Sequence, residues 1–533
     1  MIDLGGLLAT APDKTKLVEK AANTYDFLKE GFENLDETLV LYDAQAVQSI
    51  PAFVLPILEE GSKKTNFYTQ IAGTSEFLDA LSKDAEKRGL AFTKKDNIAI
   101  SGGGATGCFS ALCHTLIEKN DVVLAIAPTY ILFANHVQSC GGELVLVDAS
   151  WKEDKERYSV SAKDLEAKIF EQKMSGKKIK AVFVINPRNI DGEIWLKNEV
   201  DELAKVINSN NLLVIEDKVY QGTVYDESEG KVCYFGEHPL VKDQVVSIDS
   251  VSKRYGATQW RLGWILGPKE IVEKAREHLT QSVWSASEKY QKATAQMILA
   301  ELGLNEHKNS MLSYFEKNIS EYKKRRDLCL LVFNGKDKYE QLANERSELL
   351  SIDTLKKNYS DFIGKYSINL HEGIESYSTP VLPKATMFIP IKLDEKALEP
   401  LKSNTNFPDL LFARVLLMET GVCILPPNEL TLPDNHSVFR MELGVDIEVL
   451  FKALSLMQEF CKNWKITSAI KREAIVKKSL KDLPKKYIIR DNTVNVNDKT
   501  DIEVALPINE RGGKGEEYSS LRTRGTTKRC NAF

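Results

Sequence analysis

The sequence has few cysteines and histidines, and neither set is arranged as a framework for disulfides or metals. Its eight cysteines include no C-x-x-C pair, and their spread over 533 residues is typical of reduced, mostly buried thiols. Its seven histidines show no metal-ligand spacing. The pattern therefore favours a protein of a reducing compartment and predicts no metal site.

Long apolar runs are absent as well. The best candidate for a membrane span, residues 122–133, is shorter than the ~18–20 residues that a span requires, and Pro128 interrupts it. The first residues, beginning at Met1, lack the basic start and the apolar core of a signal peptide. We therefore expect a soluble cytoplasmic protein.

Neither sign of charge dominates the whole chain, but the two signs are unevenly distributed. Lysine and arginine number 71 and aspartate and glutamate 76, a net charge of −5. A protein that binds nucleic acid over its whole surface is normally basic, so no nucleic acid partner is expected. Residues 466–533 hold 15 basic and 9 acidic residues, so this end alone is basic.

The basic end has interpretations that the sequence leaves open. Lysines and arginines recur from Lys471 to Lys486 in an amphipathic pattern, which fits a solvated helix or a contact with an anionic membrane or an acidic partner. The last four residues, Cys530 to Phe533, match the C-a-a-X lipidation pattern except that Asn531 is not aliphatic. About the last 30 residues lose periodicity and are expected to be disordered or to lie on the surface.

Short apolar runs alternate with amphipathic stretches through the middle of the chain. The runs are rich in Val, Ile and Leu, as buried strands are, and lie at 122–127, 144–147, 181–185, 212–215, 245–248 and 262–266. Helical patterns, such as residues 105–119 and 196–209, lie between several of them. The alternation predicts an α/β fold whose large domain has a mostly parallel seven-stranded sheet flanked by helices.

The same patterns divide the chain into four segments. We expect a large domain at 65–300 and a smaller α+β domain at 301–465, with an N-terminal segment, 1–64, that joins the small domain. Within the small domain, residues 335–378 are polar and charged and are interpreted as an insertion. Residues 466–533 form the basic C-terminal extension.

The motif with the most chemical information follows the predicted strand at 245–248. Ser250 is followed three residues later by Lys253, and Arg261 stands eight residues after the lysine. A lysine at a strand end inside a site can be desolvated, lose its proton near neutral pH and act as a nucleophile. The neighbouring hydroxyls and guanidinium suit a phosphate group. The alternative is a surface lysine and arginine after an ordinary strand.

This motif resembles the class I/II aminotransferases, the pyridoxal-phosphate (PLP) enzymes of the aspartate aminotransferase fold. The family carries S-x-S-K with an arginine eight residues after the lysine. The resemblance implies PLP as the cofactor, a PLP-binding large domain and Lys253 as the Schiff-base lysine. It also implies that Ser250 and Arg261 bind the cofactor phosphate.

Further motifs of the family precede the lysine in the expected order. The resemblance implies that Asp217 faces the pyridine nitrogen and that Tyr220 lies near the ring oxygen; Glu216 is a rival carboxylate, but it has no tyrosine three residues later. The segment N-P-R-N-I-D-G at 186–192 resembles the family's N-P-x-N-P-T-G, which makes Asn189 a ligand of the ring oxygen. Here Ile190 and Asp191 replace a proline and a threonine.

A glycine-rich segment, Ser101 to Gly107, opens a predicted helix whose start can bind an anion. Its spacing also fits G-x-G-x-x-G, but the acidic residue of a dinucleotide site is absent after the next strand. In the family the cofactor phosphate is held here, which implies Ala105 and Thr106 as ligands. The family also places a ring-stacking aromatic where this chain has Tyr130.

The remaining motifs concern the substrate and a second subunit. The resemblance implies that Arg440, in S-V-F-R-M-E-L-G, binds the substrate carboxylate together with Asn189, and a bidentate guanidinium suits a carboxylate. It also implies that Tyr68 reaches the phosphate of a neighbouring subunit, so that the protein is a homodimer or a higher homo-oligomer with shared active sites.

The predicted function is a PLP-dependent aminotransferase that moves an amino group between an L-amino acid and a 2-oxo acid, with Lys253, Asp217 and Tyr220 as catalytic residues. One alternative is a PLP-dependent lyase or decarboxylase of the same fold, since the motif at 253–261 and the long C-terminal region are somewhat similar to aspartate β-decarboxylase. The other is a binding protein on this fold that docks through its tail.

Overall fold

A computed structural model describes most of the chain between residues 38 and 479. The described residues are 38–42, 46, 49–63, 68–130, 133–152, 157–374, 377–378, 382–402, 408–426, 438–466, 472, 475–476 and 479. All of them belong to the first of two compact units, Met1–Ile489. The predictions for residues 1–37, for Cys530 and for most of the basic extension lie outside the described residues.

The centre of the described part is a seven-stranded sheet. Its strands lie in the order β2 (Ile98–Ser101), β10 (Gly263–Leu266), β9 (Val245–Ser250), β8 (Leu213–Asp217), β7 (Lys178–Ile185), β3 (Asp121–Ile126) and β4 (Glu143–Val147). All neighbours in it are parallel except β10, which runs antiparallel to β2 and β9. The prediction of an α/β fold with a mostly parallel seven-stranded sheet is therefore confirmed. The other strands of the described residues are β1 (Leu39–Leu41), β5 (Ser150–Lys152), β6 (Arg157–Ser159), β11 (Tyr377–Ser378), β12 (Phe388–Leu393), β13 (Val422–Ile424) and β14 (Val438–Glu442).

Helices cover the sheet, which explains why its strands are rich in Val, Ile and Leu. Every residue of β3 and of β9 is buried, and side chains from both faces of the sheet enter separate cores. The helices of the described residues are α1 (Leu55–Lys63), α2 (Ser75–Lys87), α3 (Gly104–Leu116), α4 (Phe133–Ser139), α5 (Ala162–Met174), α6 (Lys197–Ser209), α7 (Val251–Arg254), α8 (Lys269–Ser282), α9 (Glu288–Glu301), α10 (Lys308–Asn334), α11 (Lys336–Glu345), α12 (Ile352–Lys365), α13 (Glu395–Leu398), α14 (Pro408–Thr420) and α15 (Ile447–Ile466).

A second layer forms around the antiparallel sheet β11-β12-β14. Its core combines the last turns of α10 with α14 and α15. The polar stretch at 335–378 contains α11 and α12, and their apolar residues, such as Tyr339 and Leu355, are buried in that same core. Near the N-terminus, β1 pairs in parallel with β13, whereas α1 lies against α9 of the larger layer.

No helix within the described ranges is both long and apolar enough to cross a membrane.

Candidate active site

The site lies where the parallel strands end. The last residues of β7 and β8, Ile185 and Asp217, are paired, and Ser250 at the end of β9 is paired with Gly263 of β10. Since the carboxyl ends of parallel strands meet at one edge of a sheet, the segments that follow β2, β3, β7, β8 and β9 converge there. All the sequence motifs in the large domain except Tyr68 begin at this edge.

Asp217 is a buried carboxylate at this edge. Its Oδ1 accepts a hydrogen bond from the Val219 N–H at 3.0 Å. Burial, together with the nearby Asp249 and Glu216, raises the pKa of Asp217 to about 7. Among the described side chains none forms a salt bridge with Asp217, so a cationic N–H from a ligand would be its natural partner.

The rival carboxylate, Glu216, is satisfied elsewhere. Its two oxygens accept hydrogen bonds from the backbone N–H groups of Phe235 and Gly236, at 2.7 and 3.0 Å. Successive residues of a strand point to opposite faces, so Glu216 and Asp217 cannot serve the same site. The backbone donors thus occupy Glu216, and the role of Asp217 at the pyridine nitrogen stays a prediction from its spacing to Tyr220.

Asn189 joins the residues predicted to contact the ring oxygen and the substrate. Its Nδ2 donates to the phenol oxygen of Tyr220 at 2.5 Å, and its Oδ1 accepts from Arg440 Nη1 at 2.5 Å. All three side chains are buried. Burial raises the pKa of Tyr220, so its phenol is protonated at neutral pH. The structure thus brings together three residues that lie up to 251 positions apart.

Arg440 is held on several sides. It lies on β14, its backbone exchanges hydrogen bonds with Leu425, and its guanidinium stacks 3.9 Å from the ring centre of Phe388. Its Nη2 donates to the carbonyl oxygen of Tyr42 at 2.7 Å. The guanidinium plane is therefore fixed before any carboxylate arrives.

Lys253 lies in α7, the short helical turn directly after β9, and its side chain is half-buried. The next residue anchors this turn: the Arg254 guanidinium pairs with Asp249 at 3.2 Å and with Glu301 at 2.5 Å. Ser250 begins the turn, and its Oγ accepts a hydrogen bond from the Ser252 N–H at 3.4 Å. The lysine is thus carried on a short anchored segment.

The start of α3 forms an anion cradle. Gly104 has a φ of +66°, and its N–H donates to the carbonyl oxygen of Arg261 at 2.8 Å. The Arg261 Nη2 donates to the Gly103 oxygen at 3.0 Å, and its side chain stays exposed. Ala105 and Thr106 lie in the first turn of α3, where N–H groups have no partner within a helix. Helix end and guanidinium together suit a phosphate.

Two glycines let the backbones meet at this cradle. A Cβ on Gly263 would lie 2.6 Å from the carbonyl carbon of Gly104, and a Cβ on Gly104 would lie 3.1 Å from Arg261 Nη2. A side chain at Gly263 would therefore push the start of α3 away from β10, and one at Gly104 would crowd the Arg261 guanidinium.

The two aromatic residues predicted to contact the cofactor differ in their exposure to solvent. Tyr130 is half-buried after β3, and its ring meets Phe133 edge-on with centroids 5.2 Å apart. Tyr68, in contrast, is 86% exposed and contacts Trp284, which is itself 49% exposed.

Several residues that contact the site were not predicted from the sequence. The Tyr42 carbonyl is a backbone atom and leaves no signal in the sequence. Phe388, whose ring stacks against the Arg440 guanidinium, has the sequence pattern of an ordinary strand residue. Arg188 and Asp191 flank Asn189 and form a buried ion pair with contacts of 3.0 and 2.5 Å; their opposite charges at a spacing of three were the one available clue.

The residues present fit PLP. The helix start, Arg261 and Ser250 would hold its phosphate, Asp217 would accept the pyridine N–H, and Asn189 with Tyr220 would meet the ring oxygen. Two observations support this fit: the buried Asp217 carboxylate, which forms no salt bridge with a described side chain, and the glycine-lined cradle.

The comparisons with known proteins agree with this fit. Residues 32–455 match the family described as aminotransferase class I and II. An aspartate aminotransferase of Sulfolobus acidocaldarius is 24% identical over 394 residues, which span 74% of this chain and 82% of the relative. A (5-formylfuran-3-yl)methyl phosphate transaminase of Methanocaldococcus jannaschii is 30% identical over 49% of this chain and 65% of the relative.

Solved structures share the fold. An aspartate aminotransferase from Thermus thermophilus with maleate superposes with a TM-score of 0.62 at 17% identity, covering 84% of this chain and all of that one. An aromatic aminotransferase from Pyrococcus horikoshii gives a TM-score of 0.62 at 18% identity, covering 83% of this chain and all of that one.

Fold and site together define a PLP-dependent enzyme with a lysine just beyond the end of a parallel strand. The chain belongs to the class I and II aminotransferase family, and it is a PLP-dependent aminotransferase. The lyase and binding-protein alternatives are not favoured by these relatives.

Proposed function

We propose that this chain transfers an amino group between an L-amino acid and a 2-oxo acid, with Arg440 as the carboxylate receptor and Lys253 as the proton carrier. The observation that supports it most is the double use of the Asn189 amide, which ties Arg440 to Tyr220 through two hydrogen bonds of 2.5 Å. This arrangement links the substrate-binding end of the site to the end that would hold the cofactor ring.

Bound PLP supplies an electron-accepting ring that stabilises the negative charge developing at the substrate Cα. The chain's own residues supply the rest. Arg440 orients the carboxylate through two parallel N–H groups, and the Lys253 Nζ accepts the Cα proton and returns it. The Asp217 carboxylate holds a proton at the pyridine nitrogen, which requires the ionised form of Asp217.

The direct test is Lys253→Ala, read in two ways. Losing the base should lower the transamination rate by at least ~10²–10⁴-fold and should remove the visible absorbance band of lysine-bound cofactor. Lys269→Ala, an exposed lysine of α8, is the control and should change neither reading. A Lys253→Ala protein that keeps the band and the rate would contradict the proposal.

The reaction type and the side-chain specificity need a substrate panel. The panel starts with aspartate, because the relative from Sulfolobus acidocaldarius is an aspartate aminotransferase, and continues with aromatic and aliphatic amino acids. Transamination predicts one turnover per site with an amino acid alone and continued turnover once a 2-oxo acid is added. Continuous release of CO₂ without an oxo acid would instead indicate a decarboxylase.

We also infer a homodimer with shared sites, since Tyr68 extends from the protein surface and is 86% exposed. In that arrangement Tyr68 of one subunit serves the Lys253 site of the other. A Tyr68→Ala protein mixed and re-associated with a Lys253→Ala protein should then have more activity than the mean of the two, because each mixed dimer contains one intact site. Activity equal to the mean would place Tyr68 in the site of its own subunit.

A cytoplasmic location is part of the same proposal. Five of the cysteines within the described ranges are buried, as the thiols of proteins from a reducing compartment commonly are. Fractionation of cells into cytosol and membranes, followed by detection of the full chain, tests this location.

A further inference from the structure

The loop that carries Asn189 is closed by a buried ion pair. Arg188 Nε and Nη2 donate to the two oxygens of Asp191 at 3.0 and 2.5 Å. The Asp191 Oδ1 also accepts a hydrogen bond from the Glu193 backbone N–H at 3.3 Å. The Arg188 backbone N–H donates to the Glu193 carbonyl oxygen at 2.8 Å. Arg188, Asp191 and Glu193 are each at most 4% exposed. Asn189 therefore lies inside a loop whose two ends are joined by an ion pair and by hydrogen bonds.

The same loop is fastened to two other parts of the fold. Arg188 Nη1 donates to the carbonyl oxygen of Tyr158 on β6 at 3.0 Å. On the other side the Gly192 oxygen accepts from the N–H groups of Lys384 and Ala385, at 2.9 and 2.8 Å. Gly192 has a φ of +66°, and a Cβ there would lie 2.5 Å from the Ala385 oxygen. The loop thus has fixed neighbours on both sides.

The pair occupies the place where this chain departs from its family's pattern. Ile190 and Asp191 stand where the family has proline and threonine, and proline restricts the backbone by itself. Here an ion pair across the loop supplies the restriction, and a bidentate guanidinium–carboxylate contact is directional as well as strong.

We propose that Arg188 and Asp191 are positioning residues that orient the Asn189 amide between Tyr220 and Arg440. The inference rests on the proposed function of Asn189 and goes beyond it. Asn189 is adjacent to Arg188 and two residues from Asp191, so a change in the pair displaces its amide. Both hydrogen bonds of the amide would change together, one to the Tyr220 phenol and one to the Arg440 guanidinium.

The test compares Asp191→Asn with Asn189→Ala in the full-length protein with PLP bound. Two readings are taken: the pH midpoint at which the visible absorbance band of the cofactor changes, and KM and kcat for the best amino acid of the panel. Asp191→Asn is expected to shift the midpoint in the same direction as Asn189→Ala, by a smaller amount, and to raise KM severalfold. Glu399→Gln, which breaks an exposed ion pair with Lys402 of the same spacing, is the control and should leave both readings unchanged.

Asp191→Asn leaves the Arg188 charge buried without its carboxylate, which also lowers stability. The double variant Arg188→Gln with Asp191→Asn removes both charges and is measured in the same way; it should fold more stably than Asp191→Asn and still show the shifted midpoint.

If both variants lose only thermal stability while midpoint and KM match those of Glu399→Gln, the pair is structural and the proposal is wrong. Failure of the underlying function is distinct, because the unsubstituted protein would then lack the Lys253-dependent band.

Discussion

The two ends of the site are built in opposite ways. At the ring end, Asp217, Tyr220, Asn189 and Arg440 are buried, and the last three contact one another directly. At the phosphate end, the groups that would hold the phosphate are the backbone N–H groups at the start of α3, the exposed side chains of Thr106 and Arg261, and the buried hydroxyl of Ser250. The described groups of the ring end are thus buried, whereas the phosphate end is partly open to solvent.

The difference indicates which contacts carry the chemistry and which carry affinity. A buried group cannot be replaced by water when it is removed, so each change at the ring end leaves partners unsatisfied. An exposed cation on an anion is partly replaced by solvent and salt, so changes at the phosphate end should be milder. The following predictions, from the largest effect to the smallest, test this contrast.

Asp217→Asn should have the largest effect. The amide cannot hold a positive charge at the pyridine nitrogen, and loss of a preorganised charge of this kind costs on the order of a hundredfold or more in kcat. Glu216→Gln on the same strand is the matched control: it should lower stability, because the amide offers one acceptor oxygen to two backbone N–H groups, and leave kcat nearly unchanged. Steady-state kinetics and thermal melting measure both; equal losses of kcat would remove the distinction between the two carboxylates.

Arg440→Lys should raise KM by about tenfold to a hundredfold, because a lysine cannot bond a carboxylate in bidentate fashion. Arg325→Lys is the control, since Arg325 likewise donates to two acceptors, the carbonyl oxygens of Leu443 and Val445. The control should melt at a lower temperature with an unchanged KM. A normal KM for Arg440→Lys would exclude Arg440 as the carboxylate receptor.

Arg261→Met should raise the dissociation constant of PLP about tenfold and leave kcat of the saturated enzyme within a fewfold, since a charge-assisted hydrogen bond at an exposed site contributes roughly 1.5 kcal/mol. Arg276→Met, which removes a guanidinium from the opposite end of β2, should leave PLP affinity unchanged. Equilibrium titration of cofactor-free protein gives the constant, and a large fall in kcat at saturation would contradict the contrast between the two ends.

The last prediction concerns the pH dependence of stability in the cofactor-free protein instead of activity. The pKa of Asp217 is about 7 in the fold against an ordinary 3.8, so between these values the folded chain binds a proton that the unfolded chain has released. The free energy of unfolding therefore falls as pH rises through this window, by at most about 1.4 kcal/mol per pH unit, and the contribution is constant above it.

Asp217→Asn removes this contribution, so the variant should gain stability relative to the unsubstituted protein between about pH 5 and about pH 7. Urea unfolding of both cofactor-free proteins at the two pH values measures the change. A stability difference that is the same at both would mean that Asp217 is ionised without a ligand.

The sequence predicted the strand ends well because buried parallel strands leave a strong local pattern. Asp217, Ser250 and Lys253 each follow an apolar run, and the sheet brings them to one edge. What depends on distant contacts was not predictable: the carbonyl of Tyr42 beneath Arg440, and the Arg188–Asp191 pair, whose meaning comes from its burial against Tyr158.

The hydrogen bonds around Lys253 have a consequence for how the enzyme is assembled. Ser250 pairs with Gly263, the Val251 N–H donates to the Leu262 oxygen, and the Arg261 oxygen accepts from Gly104 at the start of α3. Residues 251–262 thus form a loop whose two ends are fixed to the sheet and to the anion-binding helix. The lysine and the anion site keep their spacing through the protein's own backbone, so the fold itself preorganises the site for the cofactor. Folding and loading can then be separate events, and protein refolded without PLP should capture it afterwards without a further slow conformational step.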